Sequence, residues 1–267
     1  MNRLLRHFGL NANPFDRNMP KDALYRHRGF EEALERLRLT VELDGIAALL
    51  AESGCGKSLL LGQVADEVQR QGWAVHYFAH STVGPFSLVN VLARKVGLAP
   101  RRSRGETAML LTDTLLDDKR KHLLVIDEAH ELPDVTLEDV RLLTIADFDR
   151  KSPFLLLLAG QPDLDERLVE PTHHALDQRI TTVARLVPLA LDETRAYLGQ
   201  RLAAAGHKQD QPLFDDGAEE AVHDASNGVP RRINQVATAA MIVAAARKHR
   251  LVSAQEVQDA RIDRGRA

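Results

Sequence analysis

Apolar and polar residues alternate along the first two-thirds of the chain in two rhythms. Near-continuous apolar runs occur at Gly45–Ala51, Trp73–Ala79, His122–Ile126, Phe154–Ala159 and Thr181–Leu189. A strand buried on both faces shows no polar alternation, so these runs predict a parallel sheet covered on both sides. Between them, apolar positions recur at helical spacing. Phe30, Ala33, Leu34, Leu37 and Val41 predict a helix over Phe30–Leu43. Lys57–Gln71 reads as a second helix, stopped by Gly72. A third, Asp134–Phe148, carries Leu137, Val140, Leu143 and Phe148 on one side. Five strands with intervening helices predict an α/β fold with right-handed crossovers.

After Leu191 the strand rhythm stops. Asp192 opens a helix through Ala205, closed by Gly206, and Asp215 or Asp216 opens another that ends near Gly228. Pro230 stands where a first helical turn favours it, and the pattern then runs through Met241 to about Arg247. Ser253-Ala254-Gln255-Glu256 has the form of a capping box for a last short helix. The expected organisation is an N-terminal extension over 1–28, an α/β core over 29–190 and an all-helical domain over 191–267.

Composition narrows the class. With 267 residues, 44% hydrophobic and 27% charged, the chain is globular and not disordered. Aromatics are only 4%, so the core must be aliphatic. The single Cys55 excludes an intramolecular disulfide and fits a reducing compartment. The apolar run Ala239–Ala246 is far shorter than the ~20 residues of a bilayer span. The opening MNRLLRHFGLNANPF lacks the apolar stretch of a secretory signal. A soluble, cytoplasmic protein is expected.

Charge changes the picture only locally. The net charge of −3 argues against a uniformly basic nucleic-acid coat. Residues 1–28 nevertheless hold six basic residues (Arg3, Arg6, Arg17, Lys21, Arg26, Arg28) against two acidic ones. Residues 91–104 hold Arg94, Lys95, Arg101, Arg102 and Arg104 and no acid. Such clusters are either solvated loops or local patches that track phosphates at near-zero net charge.

The chemistry concentrates at strand ends. Ala51-Glu52-Ser53-Gly54-Cys55-Gly56-Lys57-Ser58, followed by Leu59, is a phosphate-binding loop pattern with Ala51 at the usual first glycine. It stands between a predicted strand and a predicted helix, the context this motif requires. Small residues let successive backbone N–H groups turn inward around an anion, and the helix N-terminus adds partial positive charge. Lys57 would reach the β- and γ-phosphates and Ser58 would ligate Mg²⁺. The strand His122–Ile126 ends in Asp127-Glu128, which places two carboxylates in the crevice at the sheet's carboxyl edge. Asp127 would hold Mg²⁺, and Glu128 would orient or deprotonate the attacking water.

Three further positions have two readings each. Gln161, after strand Phe154–Ala159, positions the hydrolytic water or is a plain turn residue before Pro162. Arg179 is a finger inserted into a neighbour's nucleotide or a surface arginine. Arg231, in Gly228-Val229-Pro230-Arg231, closes over the γ-phosphate or makes an ordinary salt bridge, with Arg232 beside it as an equal candidate. His76 and His80 share a strand face, and His173-His174 is a loop pair. None has a partner at metal-site spacing, so they read as core or surface residues. Cys55 fills a small-residue slot.

Together these features resemble an AAA+ ATPase, most closely the ExeA/GspA-like group and its transposon-borne relatives of the TnsC/TniB type. The likeness includes Phe8-Gly9-Leu10 with Asn13-Pro14-Phe15, Ile126-Asp127-Glu128-Ala129-His130, Ala159-Gly160-Gln161-Pro162-Asp163-Leu164, Gln178-Arg179-Ile180 and Gly228-Val229-Pro230-Arg231. The resemblance implies a five-stranded parallel core with a C-terminal helical lid. It implies ATP and Mg²⁺ as cofactors, bound between neighbouring subunits of a ring or filament, with the first 28 residues on the adenine side. Two branches follow. In one, the ATPase assembles on double-stranded DNA and recruits or activates a transposase, with a target-selection protein as a possible further partner. In the other, it assembles secretion machinery at the cell envelope, using a membrane span and a wall-binding domain beyond the lid. The position of the last predicted helix, the segment Phe148–Pro153 and His174–Arg179 favour the transposon branch. A nucleotide-gated scaffold without hydrolysis is a third reading, against which Glu128 argues.

Overall fold

A computed structural model describes residues 3–16, 24–78, 87–145, 152–208 and 212–263. Arg17, Lys21, Ala79, His80 and Phe148–Lys151 lie outside the described residues. The chain divides into two compact units, residues 29–186 and residues 1–28 with 187–267.

The larger unit is built on five parallel strands: β1 (Ile46–Ala51), β2 (Ala74–Phe78), β3 (His122–Ile126), β4 (Leu155–Gly160) and β5 (Ile180–Leu186). Their order across the sheet is β2-β3-β4-β1-β5. The central strands β1, β3 and β4 are buried at every position, which is why their sequences are near-continuous apolar runs, with His122 at the start of β3 the exception. The edge strands β2 and β5 are partly exposed and carry the polar residues His76, Thr181 and Arg185. Leu124, Ile126, Leu156 and Leu158 pack with Leu137, Val140 and Leu164 in one aliphatic core. Full burial of each such side chain stabilises the fold by about 1.5–3 kcal/mol.

Helix α2 (Arg28–Glu42) buries Phe30, Ala33, Leu34, Leu37 and Val41, and α3 (Lys57–Arg70) follows β1 through a tight loop. Two helices between β2 and β3 escape the sequence pattern: α4 (Ser87–Lys95) and α5 (Arg104–Asp117). Ser103 caps α5 by accepting from the backbone N–H of Glu106 at 3.1 Å. Helix α6 (Asp134–Leu143) is shorter than Asp134–Phe148. It stops where the Thr144 hydroxyl donates to the Arg141 carbonyl at 2.6 Å. Likewise β5 ends at Leu186 and not at Leu189, because Pro188 has no N–H for a ladder. Two short helices, α7 (Asp163–Leu168) and α8 (His174–Asp177), connect β4 to β5.

The second unit is helical, with α1 (Arg3–Phe8), α9 (Leu191–Ala204), α10 (Asp216–Ser226), α11 (Pro230–Ala246) and α12 (Ala254–Asp263). Leu189 belongs to its core, with Leu198, Phe214, Val222, Ile233 and Met241. The N-terminal segment is part of this core through Phe8, Leu10 and Phe15. The buried Arg201 fixes that segment by donating to the carbonyls of Pro14 (2.6 Å) and Asp16 (2.7 Å). At the start of α12 one half of the capping box forms: the Glu256 carboxylate accepts from the Ser253 N–H at 2.9 Å and from the Ser253 hydroxyl. Among the described residues, no helix is long and apolar enough to cross a membrane.

Candidate active site at the carboxyl edge of the sheet

The loop between β1 and α3 turns through two left-handed glycines, Gly54 (φ 97°) and Gly56 (φ 108°). A Cβ on Gly56 would meet nothing within 4 Å, so glycine is needed there for its backbone conformation and not for space. The first glycine of the pattern has no such duty. Ala51 is the last residue of β1, buried and paired with Leu186. Its carbonyl accepts from Nζ of Lys57 at 2.8 Å, and Lys57 is only 5% exposed. Alanine is therefore accommodated because its backbone does the work. Glu52, Ser53, Ser58 and Leu59 are exposed, Gly54 and Gly56 are half-buried, and Cys55 is buried.

Across the sheet, Asp127 extends the β3 ladder by donating its N–H to the Phe78 carbonyl at 2.8 Å. Its carboxylate is 4% exposed and sits among three donors. Oδ1 accepts from the Glu128 N–H at 3.0 Å. Oδ2 accepts from the Ser58 hydroxyl at 3.0 Å and from the Tyr77 hydroxyl at 2.9 Å. Burial, reinforced by the Asp127 carboxylate, pushes the Tyr77 phenol up to about 12, so it stays a donor. Sequence reasoning missed Tyr77. The strand run that contains it was legible, but a tyrosine on an edge strand carries no signature of its own. Two oxygen ligands side by side, Ser58 Oγ and Asp127 Oδ2, suit a hard cation such as Mg²⁺.

Glu128 adopts a left-handed backbone (φ 54°), which is uncommon without glycine and turns the chain sharply away from β3. A single 3₁₀ turn, Ala129–Glu131, follows. His130 there lies with Nδ1 3.6 Å from the Glu128 carboxylate and Nε2 2.9 Å from the Gln161 amide nitrogen. His130 thus lies between Glu128 and Gln161, the residue just beyond β4. Arg167 clamps the turn by donating to the carbonyls of His130 and Leu132 and by pairing with Asp134. That pairing holds the Asp134 carboxyl below its ordinary range, helped by a hydrogen bond to His173.

Arg179 immediately precedes β5 and donates to the Thr144 carbonyl at 3.3 Å. Arg231 and Arg232 are both exposed in the first turn of α11, in the helical unit. Within the basic cluster, Arg94, Arg101 and Arg102 are exposed. Lys95 donates to the Tyr77 carbonyl at 2.5 Å and lies over the Phe78 ring. Arg104 forms an ion pair with the buried Asp139. No cluster of metal-binding side chains of the His/Cys/Asp/Glu kind occurs among the described residues.

Residues 39–168 match the family model of an AAA domain. General secretion pathway protein A of Aeromonas hydrophila is 33% identical over 257 residues, covering 92% of this chain and 46% of that protein. The chain therefore spans about half the length of this curated relative. Among solved structures, Cdc6p of Pyrobaculum aerophilum superposes with a TM-score of 0.73 at 19% identity, covering 94% of this chain and 70% of that one. The ORC1 protein of Aeropyrum pernix in complex with DNA gives 0.60 at 19% identity, covering 91% and 67%. The sheet, the loop and the matched AAA domain give this chain the AAA+ P-loop fold and mark it as an ATPase of the kind that uses ATP with Mg²⁺, similar in sequence to general secretion pathway protein A.

Proposed function

We propose that this chain is an ATP-driven switch that oligomerises on duplex DNA and recruits or activates a transposase. The nucleotide site is assigned as follows. The backbone of residues 51–59 cradles the phosphates, and Lys57 leaves the Ala51 carbonyl for the β- and γ-phosphates. Ser58 and Asp127 hold Mg²⁺, which neutralises phosphate charge. Gln161 orients a water. Its oxygen forms a bond to the γ-phosphorus while the bond to the β–γ bridging oxygen breaks. The electron pair leaves with ADP, and the water's proton passes to Glu128. Arg179 completes a neighbour's site, and Arg231 senses the γ-phosphate from the helical domain, residues 191–267.

The observation that carries the DNA reading is the acid-free segment 91–104, which exposes Arg94, Arg101 and Arg102. Helix α5 runs back towards the start of β3, so its capped N-terminus, with Arg101 and Arg102 just before it, lies towards the sheet's carboxyl edge. One such patch neutralises few phosphates. Repeated along an oligomer, it would track a duplex without reading bases, and affinity would fall steeply with salt. A protein of similar fold has been seen on DNA, which supports the reading. The test is fluorescence anisotropy on random duplex at low salt, with and without a non-hydrolysable ATP analogue. Tight binding only with the analogue is expected, and it should be lost in R101E/R102E while nucleotide affinity holds. ATP-loaded protein that ignores DNA would contradict the proposal.

The likeness to general secretion pathway protein A over 92% of the chain favours a second reading, assembly of secretion machinery at the envelope. It predicts nucleotide-dependent oligomers with no affinity for duplex DNA.

A further inference from the structure

We infer that His130 is a positioning residue that couples the base to the water-orienting amide, so that Glu128 and Gln161 are set together. This rests on the roles proposed above for those two residues. The His130 side chain is 6% exposed, and a buried imidazole is costly unless its nitrogens are used. Here each nitrogen faces a different partner. The Gln161 amide nitrogen is a donor, so Nε2, 2.9 Å away, must accept. A neutral ring that accepts at Nε2 carries its proton on Nδ1, the nitrogen facing the Glu128 carboxylate at 3.6 Å. The Gln161 backbone N–H also lies 3.5 Å from Nδ1, so this nitrogen stands between Gln161 and the Glu128 carboxylate.

The surroundings leave the ring little freedom. A Cβ on Gly160 would lie 3.3 Å from the His130 backbone nitrogen, so the end of β4 packs closely against the turn that carries the ring. Arg167 holds the same turn through the His130 and Leu132 carbonyls. A shift of either catalytic partner must therefore move the ring or break a contact. The arrangement makes His130 a mechanical link between two strand ends, β3 and β4, that flank the reacting water.

The experiment measures kcat, KM for ATP·Mg²⁺, affinity for a non-hydrolysable analogue and thermal midpoint in full-length His130→Ala, His130→Asn and His130→Gln. Asparagine reaches the Nδ1 position and glutamine the Nε2 position, so each restores one contact only. The expected result is a kcat lowered about 10- to 100-fold in all three, as for other residues that orient a reacting group. KM, analogue affinity and, in the Asn and Gln variants, thermal midpoint should stay near wild type. Adding Gln161→Ala to His130→Ala should cost no more than the worse single change, the sign of two residues acting as one unit. Wild-type kcat, additive losses, or a loss of affinity that parallels kcat would each overturn the inference. Glu128→Gln separates it from the underlying reading. If that variant turns over at the wild-type rate, the base assignment falls. If it is slow while the His130 variants are normal, only the coupling falls.

Discussion

The Ser58 hydroxyl donates to Asp127 Oδ2 at 3.0 Å, joining residues 69 positions apart at the ends of two different strands. The same oxygen accepts from Tyr77 at 2.9 Å. If Ser58 and Asp127 hold Mg²⁺ as proposed, the Ser58 oxygen would be a direct ligand, and Tyr77 would support the Asp127 carboxylate from outside. Ser58→Ala should therefore raise the Mg²⁺ concentration needed for half-maximal activity strongly. Tyr77→Phe should raise it less, by about 10-fold as for an outer-shell partner of a metal ligand. A Mg²⁺ titration of steady-state ATPase activity checks both, and an unchanged requirement in Ser58→Ala would remove Ser58 from the metal.

Arg179 now rests on the Thr144 carbonyl, so reaching a neighbour's phosphate requires it to leave that contact. Arg179→Ala should bind ATP normally and lose ~10³–10⁵ in kcat if it is a finger supplied in trans. Mixed with Lys57→Ala, which should not bind nucleotide, it should regain part of its activity, because a hybrid interface pairs an intact site with an intact finger. No regain in demonstrated mixed oligomers would make Arg179 a structural residue of the β5 entry.

Gly228 links α10 to α11 with φ +68°, and a Cβ there would fall 2.0 Å from the Leu189 carbonyl oxygen. Gly228→Ala meets both backbone strain and a backbone clash, and should cost at least about 2 kcal/mol. Gly72 has φ +89° but open space around it, so Gly72→Ala should cost only about 1 kcal/mol. Chemical denaturation of the two variants compares them directly.

His76 and His122 stack with ring centroids 5.3 Å apart and nitrogens 3.1 Å apart. Burial first, then His122, Lys95 and Arg120, lowers the His76 pKa to about 4 against the opposing pull of Asp118. The unfolded chain takes up a proton below its ordinary value of 6.5 that the folded chain refuses until about 4. Stability from this site is thus complete above pH 6.5 and is lost as pH falls towards 4. His76→Phe should flatten the thermal midpoint over that window, and an unchanged slope would place the acid sensitivity elsewhere.

Much of this architecture is written in the chain because both-face burial leaves a simple trace. Apart from His122 at the start of β3, the central strands β1, β3 and β4 contain no polar side chain, and the glycines of the phosphate loop stand where only a positive φ will do. Helices α4 and α5 are harder to read. In α5 the buried residues are Thr107, Leu111 and Leu115, while Met109 and Leu116 are exposed, so its apolar stripe is blurred. The contacts that complete the site are long-range and polar. Nothing local in Tyr77 or His130 says that one will meet Asp127 and the other Gln161. Those meetings follow from strand order, which places β2 and β4 on either side of β3.

Glu128→Gln keeps the side chain's shape and removes the proposed base. Nucleotide affinity should match wild type, steady-state turnover should fall by orders of magnitude, and the ATP-bound oligomer should persist after dilution. Turnover at the wild-type rate, measured by phosphate release under saturating ATP·Mg²⁺, would contradict that assignment.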